Sequence, residues 1–123
     1  MSKYDDIPPK YPNLFDNRPE YCFDCGPGWY DLINELCAKI EAEIIAWKER
    51  NPESKESLIA VSQIKEKYGT LRFYMYSETD AISDMIWEAE EKSGLTCENC
   101  GKPGQTRWDC SWVHTTCDEC EKK

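Results

Sequence analysis

The sequence predicts an α+β fold in which a long helix, an antiparallel β-hairpin and a second helix precede a small cysteine-rich ribbon. Three observations lead to this prediction: a helical apolar stripe begins at Trp29, two β-forming runs flank Gly69, and two Cys-x-x-Cys pairs follow them. With 123 residues, 40% of them hydrophobic, the chain has room for one modest core and a metal-held appendage. We therefore divide it into an N-terminal arm (1–21), an α+β body (22–94) and a ribbon (95–123).

The first segment alternates prolines with aromatic side chains. Proline fixes its backbone φ angle and has no N–H to donate, so we expect an extended arm that packs over the body. An unstructured tail is the competing interpretation. The residues concerned are Pro8, Pro9, Pro12, Pro19, Tyr4, Tyr11 and Phe15.

An apolar stripe with the period of an α-helix follows residues 29–50. At about 100° per residue its members fall on one side, while polar positions such as Asp31 and Glu41 fall elsewhere. We expect a core-facing helix that Pro52 ends, because the residue before a proline is driven out of helical geometry. The stripe consists of Trp29, Leu32, Ile33, Leu36, Ile40, Ile44 and Trp47.

Two β-forming runs flank Gly69. Residues 58–65 are rich in β-branched side chains, and residues 70–76 alternate apolar positions with Arg72 and tyrosines. The segment 66–69 between them predicts a turn, so an antiparallel hairpin is the simplest connection. We expect one face of the hairpin to cover the long helix.

A second helix is predicted from about Asp80 to Lys92, with Thr79 or Asp80 as its N-cap and Gly94 as its stop. Its apolar stripe consists of Ile82, Met85, Ile86 and Ala89.

Trp87 projects from the second helix among acidic side chains rather than among aliphatic ones. The simpler interpretation is that the ribbon folds back and covers it. The functional interpretation is a protein-binding patch, because tryptophan is enriched at interface hot spots and acids select a basic partner surface. The acidic residues are Asp80, Asp84, Glu88 and Glu91.

Two Cys-x-x-Cys pairs, Cys97/Cys100 and Cys117/Cys120, are separated by sixteen residues. This spacing is typical of a structural zinc site, in which four thiolates hold Zn²⁺ tetrahedrally at roughly 2.3 Å. The Gly-Lys-Pro-Gly segment 101–104 supplies a turn. Because four cysteines fill the shell, we expect one structural zinc and a C-terminal segment that needs it for a fixed structure. A disulfide pair or a redox Cys-x-x-Cys are the alternatives.

A third Cys-x-x-Cys pair, Cys22 and Cys25, could bind a second metal or form a redox dithiol. Cys37, Cys110 or His114 would then complete the metal site. Free thiols are the simpler interpretation, with Cys37 as a small buried apolar residue.

The charge disfavours non-specific binding to DNA or RNA, since 24 acidic residues face 15 Lys and Arg residues and the net charge is −9. The hairpin offers the best local candidate for a nucleic-acid surface, because its basic side chains lie near tyrosines. A solvated hairpin neutralised by Glu66 and Glu78 is the competing interpretation. The candidate contacts are Lys65, Lys67 and Arg72, with Tyr68, Tyr74 and Tyr76 beside them and Lys102 and Arg107 in the ribbon.

We find no catalytic constellation in the sequence. His114 is the only histidine, and neither a convergent nucleophile and base nor a phosphate-binding glycine loop is present. We therefore expect no enzymatic activity. The polar segment 1–6 lacks the apolar run of a signal peptide, and no stretch reaches the roughly 20 apolar residues of a membrane span, so we expect a location in the reducing cytoplasm.

The segments 63–74 (QIKEKYGTLRFY), 97–104 (CENCGKPG) and 116–120 (TCDEC) resemble a family of small uncharacterised proteins of bacteriophages, prophages and bacteria. The segment 28–33 (GWYDLI) is similar to that family's usual opening. The resemblance implies a phage or mobile-element origin, an intracellular setting and zinc at the four cysteines. In that family the last ligand is often histidine, and Cys120 here keeps the site competent. The resemblance implies no particular biochemical activity.

Together these observations predict an acidic, non-enzymatic zinc-ribbon protein. It would bind and modulate or inhibit a host protein with a basic surface, such as a bacterial defence or transcription factor. A nucleic-acid-binding zinc ribbon is the alternative function.

Overall fold

The computed structural model describes residues 3–18, 20–53, 59–108 and 111–122. It confirms the predicted mixed α+β architecture: a long helix, a hairpin and a second helix, followed by a small ribbon with clustered cysteines. The helices are α1 (Ile7–Lys10), α2 (Tyr30–Arg50), α3 (Asp80–Ser93) and α4 (Asp118–Glu121), and the strands are β1 (Phe23–Asp24), β2 (Val61–Lys67), β3 (Thr70–Met75), β4 (Gln105–Arg107) and β5 (His114–Thr116).

Helix α2 forms the centre of the core, as its apolar stripe predicts. It begins after a 3-10 turn at Pro27–Trp29 and ends at Arg50, just before the predicted stop at Pro52. Its buried apolar side chains belong to one hydrophobic core with residues of the sheet and α3. The buried residues of α2 are Ile33, Leu36, Cys37, Ile40, Glu41 and Ile44.

Glu41 is buried, contrary to the expectation that it lies off the core-facing side. Its carboxylate accepts hydrogen bonds from the backbone N–H of Leu14 at 2.8 Å and from the side-chain amide of Asn13 at 2.8 Å. Those donors satisfy the carboxylate inside the protein, so the burial is tolerated. Glu41 thereby ties the N-terminal segment to α2.

The predicted hairpin is confirmed as β2 and β3, which pair antiparallel. Tyr68 and Gly69 both have positive φ angles, 53° and 85°, as a two-residue type I′ turn requires. The predicted first strand began too early, since β2 starts at Val61; Leu58 lies outside the described residues. Strand β1 was not predicted; it adds a parallel neighbour to β2, with Phe23 beside Ile64.

Helix α3 covers the free edge of β3. The N–H of Leu71 donates to Ser93 Oγ at 2.8 Å, and the N–H of Phe73 donates to Glu90 Oε2 at 3.1 Å. An uncovered edge would offer these donors to another chain, so α3 protects the sheet as well as filling the core. Its N-cap is Thr79, whose Oγ1 accepts the N–H of Ile82 at 3.2 Å, as predicted.

The N-terminal segment packs over the body as predicted, but it is not an extended arm. Residues Lys3–Asp6 form a 3-10 turn, and α1 follows with Pro8 and Pro9 in its first turn. Proline is tolerated there because the first N–H groups of a helix have no intrahelical acceptor. Its core side chains, each no more than 2% exposed, are Tyr4, Ile7, Leu14 and Phe15.

Within the described ranges, no helix combines the length and the apolar character needed to cross a membrane.

Candidate metal centre

The four cysteines of the two predicted pairs come together in space. Their sulfur atoms all lie within 4.8 Å of one another, and the Sγ atoms of Cys100 and Cys117 are 3.6 Å apart. A tetrahedral metal with metal–sulfur bonds of roughly 2.3 Å separates its ligands by about 3.8 Å. The cysteine quartet, Cys97, Cys100, Cys117 and Cys120, is therefore shaped to bind a metal ion.

Each Cys-x-x-Cys pair forms a tight turn that points two sulfurs at one centre. In the first knuckle (97–100), the chain turns back at Gly101, whose φ angle is +82°, and the Gly101 N–H donates to Cys97 O at 2.9 Å. In the second knuckle (117–120), Cys117 caps α4, and its Sγ accepts the N–H of Cys120 at 3.5 Å. Strands β4 and β5 connect the two knuckles as a ribbon.

Backbone donors prepare Cys97 to act as a thiolate. Burial raises its pKa, but N–H groups of Cys117, Cys100 and Asn99 directed at the sulfur outweigh burial and lower the pKa to about 6. By contrast, hydrogen bonds with Cys117 and Cys97 raise the pKa of Cys120 to about 12. The metal-free quartet thus keeps protons that a bound cation must displace, so metal affinity falls as the pH falls.

The first knuckle docks directly onto the start of α2. The N–H of Gly28 donates to Glu98 O at 2.6 Å, and the N–H of Gly26 donates to the Glu98 carboxylate at 2.7 Å. The indole N–H of buried Trp29 donates to Thr96 O at 2.9 Å. This approach leaves no room for a side chain at position 28, where a Cβ would lie 2.2 Å from Cys97 O.

The ribbon also packs against the turn of the β2–β3 hairpin. Thr115 Oγ1 donates to the carbonyl oxygen of Gly69, and Thr106 Oγ1 donates to Gly94 O at 3.2 Å. A Cβ at Gly69 would lie 3.1 Å from the Thr106 methyl group. The cysteine quartet is thus held between α2 on one side and the hairpin on the other.

His114 and Arg107 serve the ribbon itself. The two ring nitrogens of His114 hydrogen-bond with Trp112 O at 2.7 Å and with Glu121 Oε1 at 2.6 Å, and the bond with Glu121 raises the His114 pKa. Arg107 lies across from His114 and donates to Thr116 O at 3.1 Å and to Asp118 at 3.1 Å. Arg107 is therefore committed to internal contacts and is a poor candidate for binding nucleic acid.

The third pair, Cys22 and Cys25, is not arranged like the quartet, which is the one group of three or more candidate ligands within the described residues. The two cysteines flank the two-residue strand β1 and differ in their surroundings. Cys22 is exposed, whereas burial raises the pKa of Cys25 to about 12. Cys37 is buried in the core, and Cys110 lies outside the described residues.

The ribbon does not cover Trp87, so the simpler expectation for this residue is wrong. Its side chain is 64% exposed on the solvent side of α3. The acidic side chains predicted around it are exposed as well, because they point away from the buried stripe of Ile82, Ile86 and Ala89. They are Asp80, Asp84, Glu88 and Glu91.

The basic residues of the hairpin share one face of the sheet. Lys65 lies directly opposite Arg72, and Lys67 Nζ lies 5.7 Å above the Tyr68 ring. Neither Glu66 nor Glu78 forms an ion pair with these cations within the described structure. Glu66 accepts the Gly69 N–H at 2.7 Å, and Glu78 binds the Ser83 hydroxyl at 2.7 Å. Burial raises the pKa of Glu90, and the charge of Arg72 partly opposes that rise, so Glu90 is the acid that interacts with Arg72.

A cleft beside the first knuckle was not predicted. It has a volume of about 370 Å³ and lies between the start of α2, the end of α3 and the first knuckle. No local sequence pattern could indicate it, because its walls come from segments distant in the chain. The polar side chains that line it are Tyr30, Asp31, Glu35, Lys92, Thr96 and Cys100.

No protein-family model matches the chain, and neither a curated protein nor a solved structure is significantly similar to it. The fold and the cysteine quartet therefore define the class at the level of a small α+β protein with a possible metal-binding ribbon.

Replacing Gly28 with Ala should weaken both the fold and metal binding. The new Cβ would overlap the Cys97 carbonyl oxygen, and overpacking of this kind costs about 1–3 kcal/mol or more in the free energy of unfolding. Urea unfolding of the metal-loaded protein and competition with a chelator measure the two effects. Gly94→Ala is the matched control, since its Cβ would meet atoms no closer than 3.5 Å at a φ angle of −70°. Equal behaviour of the two variants would contradict the docking.

Iodoacetamide at about pH 8 should alkylate Cys22 well before Cys25 in the folded protein. Cys22 is exposed, whereas Cys25 is largely protonated at this pH because burial raises its pKa to about 12. Peptide mass spectrometry measures the two rates, and the unfolded chain, in which they should converge, is the control. Equal rates in the folded protein would restore the redox dithiol as an interpretation.

Proposed function

We propose that the cysteine quartet binds one Zn²⁺ ion with a structural role. Four thiolates suit zinc, which accepts tetrahedral sulfur ligands in closed structural sites. A full shell leaves no position for a water molecule or substrate, which supports a non-enzymatic role. Hydrogen bonds join residues 26–29 to the first knuckle and to Thr96 beside it, so metal binding would also stabilise the core.

We propose further that this chain is an interaction protein whose acidic surface binds a partner protein with a basic surface. This surface consists of Trp87 with Asp80, Asp84, Glu88 and Glu91. The main observation in support of this proposal is that Trp87 is 64% exposed on a helix whose other large apolar side chains are packed. An exposed indole gains more than most side chains from burial in a partner's pocket, which is why tryptophan is enriched at hot spots.

The charges around Trp87 support a cationic partner. Asp84 lies three residues before it and Glu91 four residues after it, so both share its side of α3. None of the four carboxylates of the acidic surface takes part in an ion pair within the described part of the chain. Unpaired acids on one face steer basic partners toward it and repel acidic ones.

The chemistry of the partner suggests its biological class. The acidic surface would compete with nucleic-acid phosphates for the basic surface of a nucleic-acid-binding protein. The resemblance to phage and prophage proteins supports a bacterial host protein as that partner, such as a defence or transcription factor that this chain modulates or inhibits. The same resemblance supports action in the cytoplasm of the host cell.

Native mass spectrometry should show one zinc ion per chain, and Cys97→Ser should remove it. Because the ligands come together only in the folded ribbon, zinc binding is coupled to folding, and apparent energies near 10 kcal/mol are typical of such sites. The exposed Cys22→Ser is the control and should keep the metal. A metal-free chain as stable as the zinc-loaded one would contradict the structural role.

The acidic surface is tested by affinity capture from bacterial lysate with the intact protein as bait, followed by binding measurements on each purified candidate. Trp87→Ala should weaken the specific interaction about 30-fold or more, because a central tryptophan typically contributes at least 2 kcal/mol. A joint Asp84→Asn and Glu88→Gln variant should slow association and reduce its salt dependence.

Trp108→Ala is the matched control, since this ribbon tryptophan is 70% exposed and lies outside the acidic surface. The assignment of the surface would be refuted if both tryptophan variants weakened binding of the partner equally, or if neither weakened it.

A further inference from the structure

We infer that the outer face of the sheet binds single-stranded nucleic acid. The outer face consists of Lys65, Lys67, Arg72 and Tyr74, which alternate with the core-facing residues of β2 and β3, together with Tyr76 just beyond the end of β3. This inference is independent of the acidic surface, because the two surfaces share no residue.

The cations of the outer face are unusual in a chain with excess acid. Lys65, Lys67 and Arg72 form no close ion pair with any described residue, whereas Arg107 and Arg50 do. Arg72 interacts with Glu90 at longer range, which leaves the two lysines as the least compensated cations. Lys65 and Arg72 lie directly opposite each other, a position in which like charges repel and destabilise the sheet. Asp24 flanks Lys65 on the other side without pairing with it. A bound anion would relieve this repulsion.

Arg72 also has a donor that the protein leaves unsatisfied. Its Nε is buried and has no hydrogen-bond partner within the described structure. A buried donor without an acceptor is costly, and the guanidinium fork matches the oxygens of a phosphate better than any other side chain does. Rotation of the Arg72 side chain toward the outer face would let its guanidinium donate to a phosphate there.

Tyrosines beside these cations favour nucleic acid over other polyanions. Tyr74 is 44% exposed, and alternation along β3 places it on the side of Arg72. Residues two apart on a strand are about 7 Å apart, so Tyr74 lies close to Arg72 on this face. Tyr76 follows the last residue of β3 and is 59% exposed. Unpaired bases can stack on such rings while phosphates contact the cations, whereas duplex bases are already stacked within the helix.

The net charge of −9 does not prevent this binding. At physiological ionic strength, interactions between exposed charges are screened beyond about 8 Å, so the cations nearest the phosphates dominate. The acid excess lowers affinity and slows association, but the release of counterions at the phosphate contacts still makes binding strongest at low salt.

Fluorescence anisotropy with labelled oligothymidylate and oligouridylate of about 12 nucleotides tests the inference on the intact, zinc-loaded protein. Three phosphate contacts predict a slope of about −2 for log affinity against log salt, and Lys65→Gln or Lys67→Gln should reduce its magnitude by about 0.7. Tyr74→Ala should weaken binding about five- to 150-fold through lost stacking. Arg72→Gln is interpreted only if its circular dichroism spectrum and zinc content match those of the parent protein. If they do not, Lys67→Gln tests the same surface, because Lys67 is exposed and its replacement should not disturb the fold.

Lys39→Gln removes the same charge from exposed α2, and Trp87→Ala alters only the acidic surface; both controls should bind as the parent does. No binding at about 20 mM salt would overturn the inference. The inference would also be overturned if the protein bound heparin as tightly as the oligonucleotides and Tyr74→Ala left the oligonucleotide affinity unchanged. The face would then be a general polyanion site. If Trp87→Ala binds the oligonucleotides like the parent but no longer binds the partner protein, the two surfaces act independently.

Discussion

The docking of the first knuckle onto the start of α2 is the constraint on which the rest of the structure depends. Trp29 is fully buried, so its indole N–H needs an acceptor inside the protein, and Thr96 O supplies it. Glu98 satisfies two further donors, at Gly26 and Gly28. Only glycine at position 28 permits this approach. Hydrogen bonds therefore join the ribbon firmly to the start of α2.

The elements that the sequence predicted are those with local signals. The helical period of the apolar residues indicated α2 and α3, and Thr79 and Gly94 marked the ends of α3 because caps act within a single turn. The alternation after Gly69 indicated β3. Cysteine spacing indicated the quartet because each Cys-x-x-Cys turn positions two sulfurs without help from the rest of the chain.

The features that escaped prediction depend on residues far apart in the sequence. Strand β1 has two residues, too few for any periodic pattern, and exists because β2 pairs with it. Glu41 is buried because Asn13 and Leu14 donate to it across the core. The exposure of Trp87 follows from where the ribbon packs, which its own helix cannot indicate. Long-range packing, and not local propensity, decided each of these outcomes.

The hydrogen bond from Gly26 to Glu98 joins residues 72 positions apart, which has a consequence for the order of folding. A loop of this length closes slowly because its conformational entropy must be lost before the contact forms. During synthesis, Trp29 cannot reach its acceptor at Thr96 until the first knuckle has left the ribosome. The surroundings of Trp29 therefore stay incompletely folded until then, although α2 itself emerges much earlier.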